Sequence, residues 1–226
     1  MSHNFAHARK SILERIAAQC LLSGRNPASV RLLAASKRTD AAGVINAIAQ
    51  GHLLFGENRA QSLRDKYAAV HPKHPQAEWH FIGHLQKNKI KYVAGKISML
   101  HSLDSPNLAT ALHERIIRHD HPPLNVLVQV KLGDEESKTG VPPAQLEAMY
   151  ASIQELSGLH LRGLMCIPPL YGSRDEWFAQ MRDLQHEGKK QGYHLEELSM
   201  GMSADIESAV QYGSTIVRVG SALFLS

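Results

Sequence analysis

Eight short apolar runs recur along the 226-residue chain, separated by segments with helical periodicity. The runs are V-R-L-L-A-A-S-K (30–37), L-L-F-G-E-N (53–58), E-W-H-F-I-G (78–83), M-L-H-S-L-D (99–104), N-V-L-V-Q-V (125–130), L-R-G-L-M-C-I (161–167), L-S-M (198–200) and I-V-R-V-G (216–220). They are continuous rather than alternating, which is the pattern of strands buried on both faces of a parallel sheet. Each but the last is followed by a predicted helix: 40–51, 59–70, 85–93, 105–119, 143–157, 175–191 and 204–212. In the fourth of these helices Ser105 is placed as N-cap with Pro106 at the first helical position. One further helix precedes them over 4–23, where Ile12, Leu13, Ile16 and Cys20 fall at helical spacing before Gly24. This order predicts an α/β protein, a single (β/α)8 TIM-type barrel with an extra N-terminal helix. A doubly wound open sheet is the structural alternative. No linker-like shift, repeat or low-complexity tract divides the chain, so residues 1–226 read as one domain, with residues 1–24 packed on the barrel.

Composition removes several classes of function. Hydrophobic residues make up 43% and charged residues 20%, ordinary for a globular protein with a sizeable core. The 14 histidines scatter without H-E-x-x-H or similar spacing, so no metal site is expected. Lys87, Lys89, Lys91 and Lys96 cluster, but only Tyr92 interleaves with them. A solvated helix face is therefore the reading, with no nucleic-acid partner. Cys20 and Cys166 stand far apart with no C-x-x-C pattern, which fits a reducing compartment. The start, M-S-H-N-F-A-H-A-R-K, has no apolar signal region, and no run approaches the roughly 18 apolar residues of a membrane span. A cytoplasmic location without membrane contact is expected.

In a barrel of this type function gathers at the carboxyl ends of the strands. Those ends read S-K, G-E-N, I-G-H, S-L-D-S, Q-V-K-L-G-D-E-E-S-K-T-G, C-I-P-P, G-M-S-A-D and R-V-G-S. After strand 7, Gly201 allows close backbone approach and Ser203 serves as N-cap or phosphate donor; after strand 8, Gly220 and Ser221 repeat the theme. Loops 7 and 8 are the usual phosphate site of the barrel. Lys37 ends strand 1 among apolar residues, a setting that lowers the basicity of an amine and favours imine formation. With a phosphate site across the barrel, two chemistries fit: a Schiff base with a sugar phosphate, or one with pyridoxal 5'-phosphate (PLP). Standing alone, Lys37 also reads as a salt-bridged surface lysine.

The motifs S-K-R-T-D, F-G-E-N-R-A-Q, W-H-F-I-G-H-L-Q-K-N-K, H-S-L-D-S, S-K-T-G, L-R-G-L-M-C-I-P, L-S-M-G-M-S-A-D-I-E-S-A-V and I-V-R-V-G-S-A-L-F occur in that order. Together they resemble the pyridoxal phosphate homeostasis protein family, single-domain relatives of the alanine racemase barrel domain. The resemblance runs from about Val30 to the C-terminus. It implies that Lys37 forms the Schiff base with PLP. It implies further that Ser203, Gly220, Ser221 and the backbone near Met202 hold the phosphate, and that Asn58 and Met200 flank the ring. Arg218 takes the place beside the pyridine nitrogen. Its permanent charge would disfavour protonation there and weaken the ring as an electron sink. His80 and Ser102 read as hydrogen-bonded core residues, and Tyr171 as a lid residue. Asp40 and Ser62 stand where the family often has Pro and Glu.

Alanine racemase opposes its lysine with a tyrosine from a second domain. Here the chain ends at Ser226, soon after strand 8, and no tyrosine lies at a strand end near Lys37. The resemblance therefore implies a PLP-binding protein of vitamin B6 and amino-acid homeostasis without a certain catalytic residue. PLP-dependent apo-enzymes are its expected recipients, and a monomer is the simpler state. A weak PLP-dependent racemase or lyase is the alternative.

Overall fold

The computed structural model of the protein describes residues 5–134 and 139–224. Asn4, the expected start of the first helix, and Ser137 and Lys138 of the S-K-T-G motif lie outside them.

Elements follow in the order α1 (Phe5–Leu22), β1 (Arg31–Ala35), α2 (Ala41–Ala49), β2 (Leu54–Glu57), α3 (Ala60–Val70), β3 (Glu78–Phe81), α4 (Ile90–Val93), β4 (Met99–Leu103) and α5 (Pro106–Arg118). Then come β5 (Leu124–Val130), α6 (Leu146–Gln154), β6 (Leu159–Cys166), α7 (Arg174–Lys190), β7 (Glu197–Ser199), α8 (Ile206–Gln211), β8 (Ile216–Val219) and α9 (Ser221–Phe224). The strands pair in parallel in chain order, and β8 returns to pair with β1, closing the barrel. The expected (β/α)8 architecture is the one observed.

Local chemistry explains several helix ends. The Asp40 carboxylate accepts the Gly43 N–H at 2.9 Å and the Ser105 hydroxyl accepts the Leu108 N–H at 3.4 Å, capping α2 and α5. Gly51, at φ 78°, ends α2 in the left-handed conformation that glycine adopts without strain. Three expectations need correction. The predicted helix over 85–93 shrinks to a single turn after a 3-10 turn at Lys87–Lys89, because K-N-K presents no apolar face to the core. Helix α8 begins at Ile206 rather than Ala204, since Asp205 and not Ser203 takes the N-cap position. A short helix, α9, also follows β8, where none was expected.

Apolar packing separates into two layers. Leu33, Ala35, Leu54, Met99, Leu127, Met165 and Ile216 fill the barrel interior. Their strand neighbours Leu32, Ala34, Leu100, Val126, Val128, Leu164 and Val217 belong to the outer core with the helices. The period of two along a strand thus places apolar side chains on both faces, which is why the runs are continuous.

Helix α1 is tied on by polar and aromatic contacts. Arg15 reaches Glu207 of α8 at 2.6 Å and 2.8 Å. Phe5 packs edge-on against His52, which in turn packs on Phe55. The His52 Nε2 donates to the Leu54 carbonyl at 2.7 Å, and burial pushes its pKa down to about 4.

Two outcomes are expected. The β5–β6 register slips between Val126 and Leu127, and Gly163 sits at that irregularity, where a Cβ would lie 1.9 Å from the Glu197 carbonyl oxygen. Gly163→Ala should therefore lower urea-unfolding stability by about 3 kcal/mol. His52 takes a proton near pH 6.5 when unfolded but resists it to about pH 4 when folded. The stability from its neutral state is complete above pH 6.5 and is lost as pH falls towards 4, by about 3 kcal/mol. His52→Gln should remove that part of the acid-side slope in unfolding curves.

Candidate functional site

At the carboxyl ends of the strands a cavity of about 450 Å³ opens, within the range of small-molecule sites. Lys37, Asn58, Met202, Ser203, Arg218, Gly220 and Ser221 all line it. Loops that are remote in sequence thus bring seven of the eight expected residues together. Met200 is the exception: it is fully buried in the outer core. The strand period explains this, since Ser199, the preceding residue, is turned inward to bond Arg218 and His101.

Lys37 sits in a 3-10 turn, Ser36–Arg38, directly after β1. It is exposed at the mouth rather than enclosed by apolar neighbours, as the sequence had suggested. The turn beneath it is strongly anchored. Lys66 of α3, almost fully buried, donates to the Ser36 carbonyl at 2.6 Å and forms an ion pair with the fully buried Glu57 of β2. The Ser36 hydroxyl donates to the same Glu57 carboxylate at 3.1 Å, whose other oxygen accepts the Asn58 N–H at 3.0 Å. One buried carboxylate therefore fixes both the lysine turn and the Asn58 backbone.

Arg218 of β8 is buried at the cavity floor, donating to the Ser199 hydroxyl at 2.6 Å and the Cys166 carbonyl at 2.8 Å. Burial lowers its pKa, but from so high a starting point that the guanidinium keeps its charge.

The two Gly/Ser loops are braced from outside. Asp205 accepts the Met202 N–H at 2.5 Å, and Arg174 stands 3.5 Å from Asp205. Arg15 of α1 donates twice to the Ser203 carbonyl at 3.2 Å. Gly220 comes so near the lysine turn that a Cβ would lie 3.1 Å from the Ala35 carbonyl oxygen. Arg38 reaches the Ser221 hydroxyl at 3.5 Å. Because β8 pairs with β1, the strand 8 loop lies beside Lys37 and not across the barrel, as expected from sequence.

Several contributors were not singled out in the sequence. Gln129 of β5 lines the cavity and donates to the Thr139 carbonyl at 2.7 Å. Gly83 lines it too, and a Cβ there would fall 2.2 Å from the Asn58 carbonyl oxygen. The available signal was a lone polar residue inside an apolar run, the Q of N-V-L-V-Q-V and the E of L-L-F-G-E-N. His80 and Ser102 are buried and hydrogen-bonded, Ser102 to the Gly83 carbonyl. Tyr171 is half exposed and outside the cavity lining; its hydroxyl accepts the Asp134 N–H at 3.1 Å.

Residues 14–226 match the family model of the alanine racemase N-terminal domain. The pyridoxal phosphate homeostasis protein of Aquifex aeolicus (strain VF5) is 39% identical over 217 residues, 94% of each chain. That of Escherichia coli (strain K12) is 39% identical over 233 aligned residues, 99% of this chain and 95% of that protein. Among solved structures, PipY of Synechococcus elongatus PCC7942 with PLP bound superposes with a TM-score of 0.82 at 38% identity. The match covers 94% of this chain and 99% of PipY.

Lys66→Met leaves the Glu57 carboxylate buried without its cation and should cost about 3 kcal/mol in urea unfolding. Adding Glu57→Gln to that variant should restore part of the loss.

Proposed function

The chain belongs to the alanine racemase N-terminal domain family and, within it, groups with the pyridoxal phosphate homeostasis proteins; from that premise we propose that it holds PLP reversibly through Lys37. The observation that carries this reading is the meeting of an amine, a buried guanidinium and two Gly/Ser loops in one cavity. Those donor types match the aldehyde, ring nitrogen and phosphate of PLP in kind, and the volume suits a small ligand.

Lys37 would supply the amine that holds the PLP aldehyde. Its exposure at the mouth leaves that amine open to water, which suits a reversible carrier. Ser203, Gly220, Ser221 and the backbone at Met202 hold the phosphate, with the Arg38 charge close to Ser221. Asn58 flanks the ring. Met200, in the outer core, has no direct part. When bound, PLP supplies an electrophilic carbon and an electron sink. Arg218 keeps a positive charge beside the ring nitrogen, disfavours a proton there and limits that sink.

The protein then serves in vitamin B6 and amino-acid homeostasis, lending PLP to apo-enzymes that depend on it. It acts as a monomer in the cytoplasm, within one domain. Among the described residues no helix is long and apolar enough to cross a membrane.

Incubation with PLP should produce the near-visible absorption of a Schiff base, and borohydride should fix one pyridoxyl phosphate adduct by intact mass. Lys37→Ala should abolish both signals; an unchanged band in that variant overturns the proposal. Deuterium exchange at the α-carbon of amino acids should not exceed that of free PLP. Exchange above that level would replace the carrier with a weak racemase or lyase.

A further inference from the structure

A line of polar side chains crosses the barrel interior between its apolar residues. Glu78 opens β3 at the face opposite the cavity. Its Oε1 lies 2.9 Å from the His80 Nε2; the His80 Nδ1 lies 2.8 Å from the His101 Nε2; and the His101 Nδ1 lies 2.8 Å from the Ser199 hydroxyl, which Arg218 also contacts at 2.6 Å. His80, His101 and Ser199 are fully buried. At the outer end the Ser98 hydroxyl donates to Glu78 at 2.8 Å, and Arg31 stands 3.9 Å away.

Donor and acceptor rules leave one arrangement for the line. Arginine can only donate, and an ionised carboxylate can only accept. The Glu78 pKa is held down to about 2, chiefly by the His80 hydrogen bond, so it is ionised. Burial pushes both histidine pKa values down, His101 furthest, while Glu78 and Glu197 pull His80 the other way; the arrangement follows for neutral rings. Neutral His80 must then donate from Nε2 to Glu78, leaving Nδ1 as an acceptor. His101 must donate from Nε2 to His80, leaving its own Nδ1 bare. Ser199 gives its proton to that nitrogen and accepts from Arg218. Every bond points the same way, from the cation to the anion.

We propose that Ser199, His101, His80 and Glu78 form a one-way hydrogen-bond chain that positions Arg218 against the ring nitrogen of bound PLP. The assignment of Arg218 to the ring nitrogen rests on the proposed function; the chain itself does not. Filling space would need none of these groups, since Leu33, Leu127 and Met165 fill the same interior. Polar side chains in a dry interior persist only when each is satisfied, and a partly satisfied network is worse than an apolar core. The members are positioning residues, because they act on PLP through Arg218.

Two measurements decide it. In PLP-free protein labelled with 15N-histidine, long-range 1H–15N correlation at pH 7 should show His80 and His101 neutral, each with its proton on Nε2. A proton on Nδ1 of either ring, or an imidazolium, overturns the chain. In protein loaded with PLP labelled with 15N in the ring, Ser199→Ala and His101→Phe should shift the ring nitrogen resonance and weaken PLP retention about tenfold. Ile153→Ala, which loosens the outer core on α6, should leave the resonance in place. Ser199→Ala removes a single oxygen and keeps the test available if His101→Phe does not fold. An unshifted resonance in Ser199→Ala overturns the positioning role. Failure of the unaltered protein to form a Schiff-base band would instead overturn the PLP reading, and the tautomer measurement, which needs no cofactor, still decides the chain.

Discussion

Arg218 donates hydrogen bonds to the Ser199 hydroxyl and the Cys166 carbonyl inside a closed barrel, where burial leaves its charge little contact with water. Left without partners, such a cation would cost several kcal/mol. Much of the interior follows from that constraint. It accounts for a serine at the inward position of β7 and for histidines at inward positions of β3 and β4. The apolar residues between them, Leu33, Leu127 and Met165 among others, keep the dielectric low and make each of those bonds matter more.

A second buried charge governs the mouth in the same manner. Glu57 is fully buried, pairs with Lys66 and receives hydrogen bonds from Ser36 and Asn58. The turn that carries Lys37 is thus held by the strand next to it, while the lysine side chain stays in water. The amine is thus exposed above a firmly anchored base. The floor and the rim of the cavity are each built on a buried charge with designated partners.

Much of this was legible in the sequence because strand burial and helix capping are local. Runs such as N-V-L-V-Q-V signal their own strands, and Asp40 and Ser105 mark helix starts. Loop chemistry at strand ends was legible for the same reason, and it singled out Lys37, Ser203, Gly220 and Ser221, while Arg218 was reached through the family resemblance. What escaped depends on three dimensions. Met200 was misplaced because a strand of three residues gives too few positions to set its facing. The nearness of Lys37 to the strand 8 loop follows from closure, which joins the first strand to the last. Lys66 looks like any exposed helix lysine until α3 is laid over β2.

The brace between Arg15 and the Ser203 carbonyl has a mechanical consequence. Helix α1 lies outside the repeating strand–helix pattern, yet its guanidinium spans from the Glu207 carboxylate to the backbone of a loop that lines the cavity. The helix is therefore a lever with its load arm at the ligand. Anything that grips or displaces it, whether a fused domain or a docking protein, would transmit force to the phosphate end of the cavity without entering it.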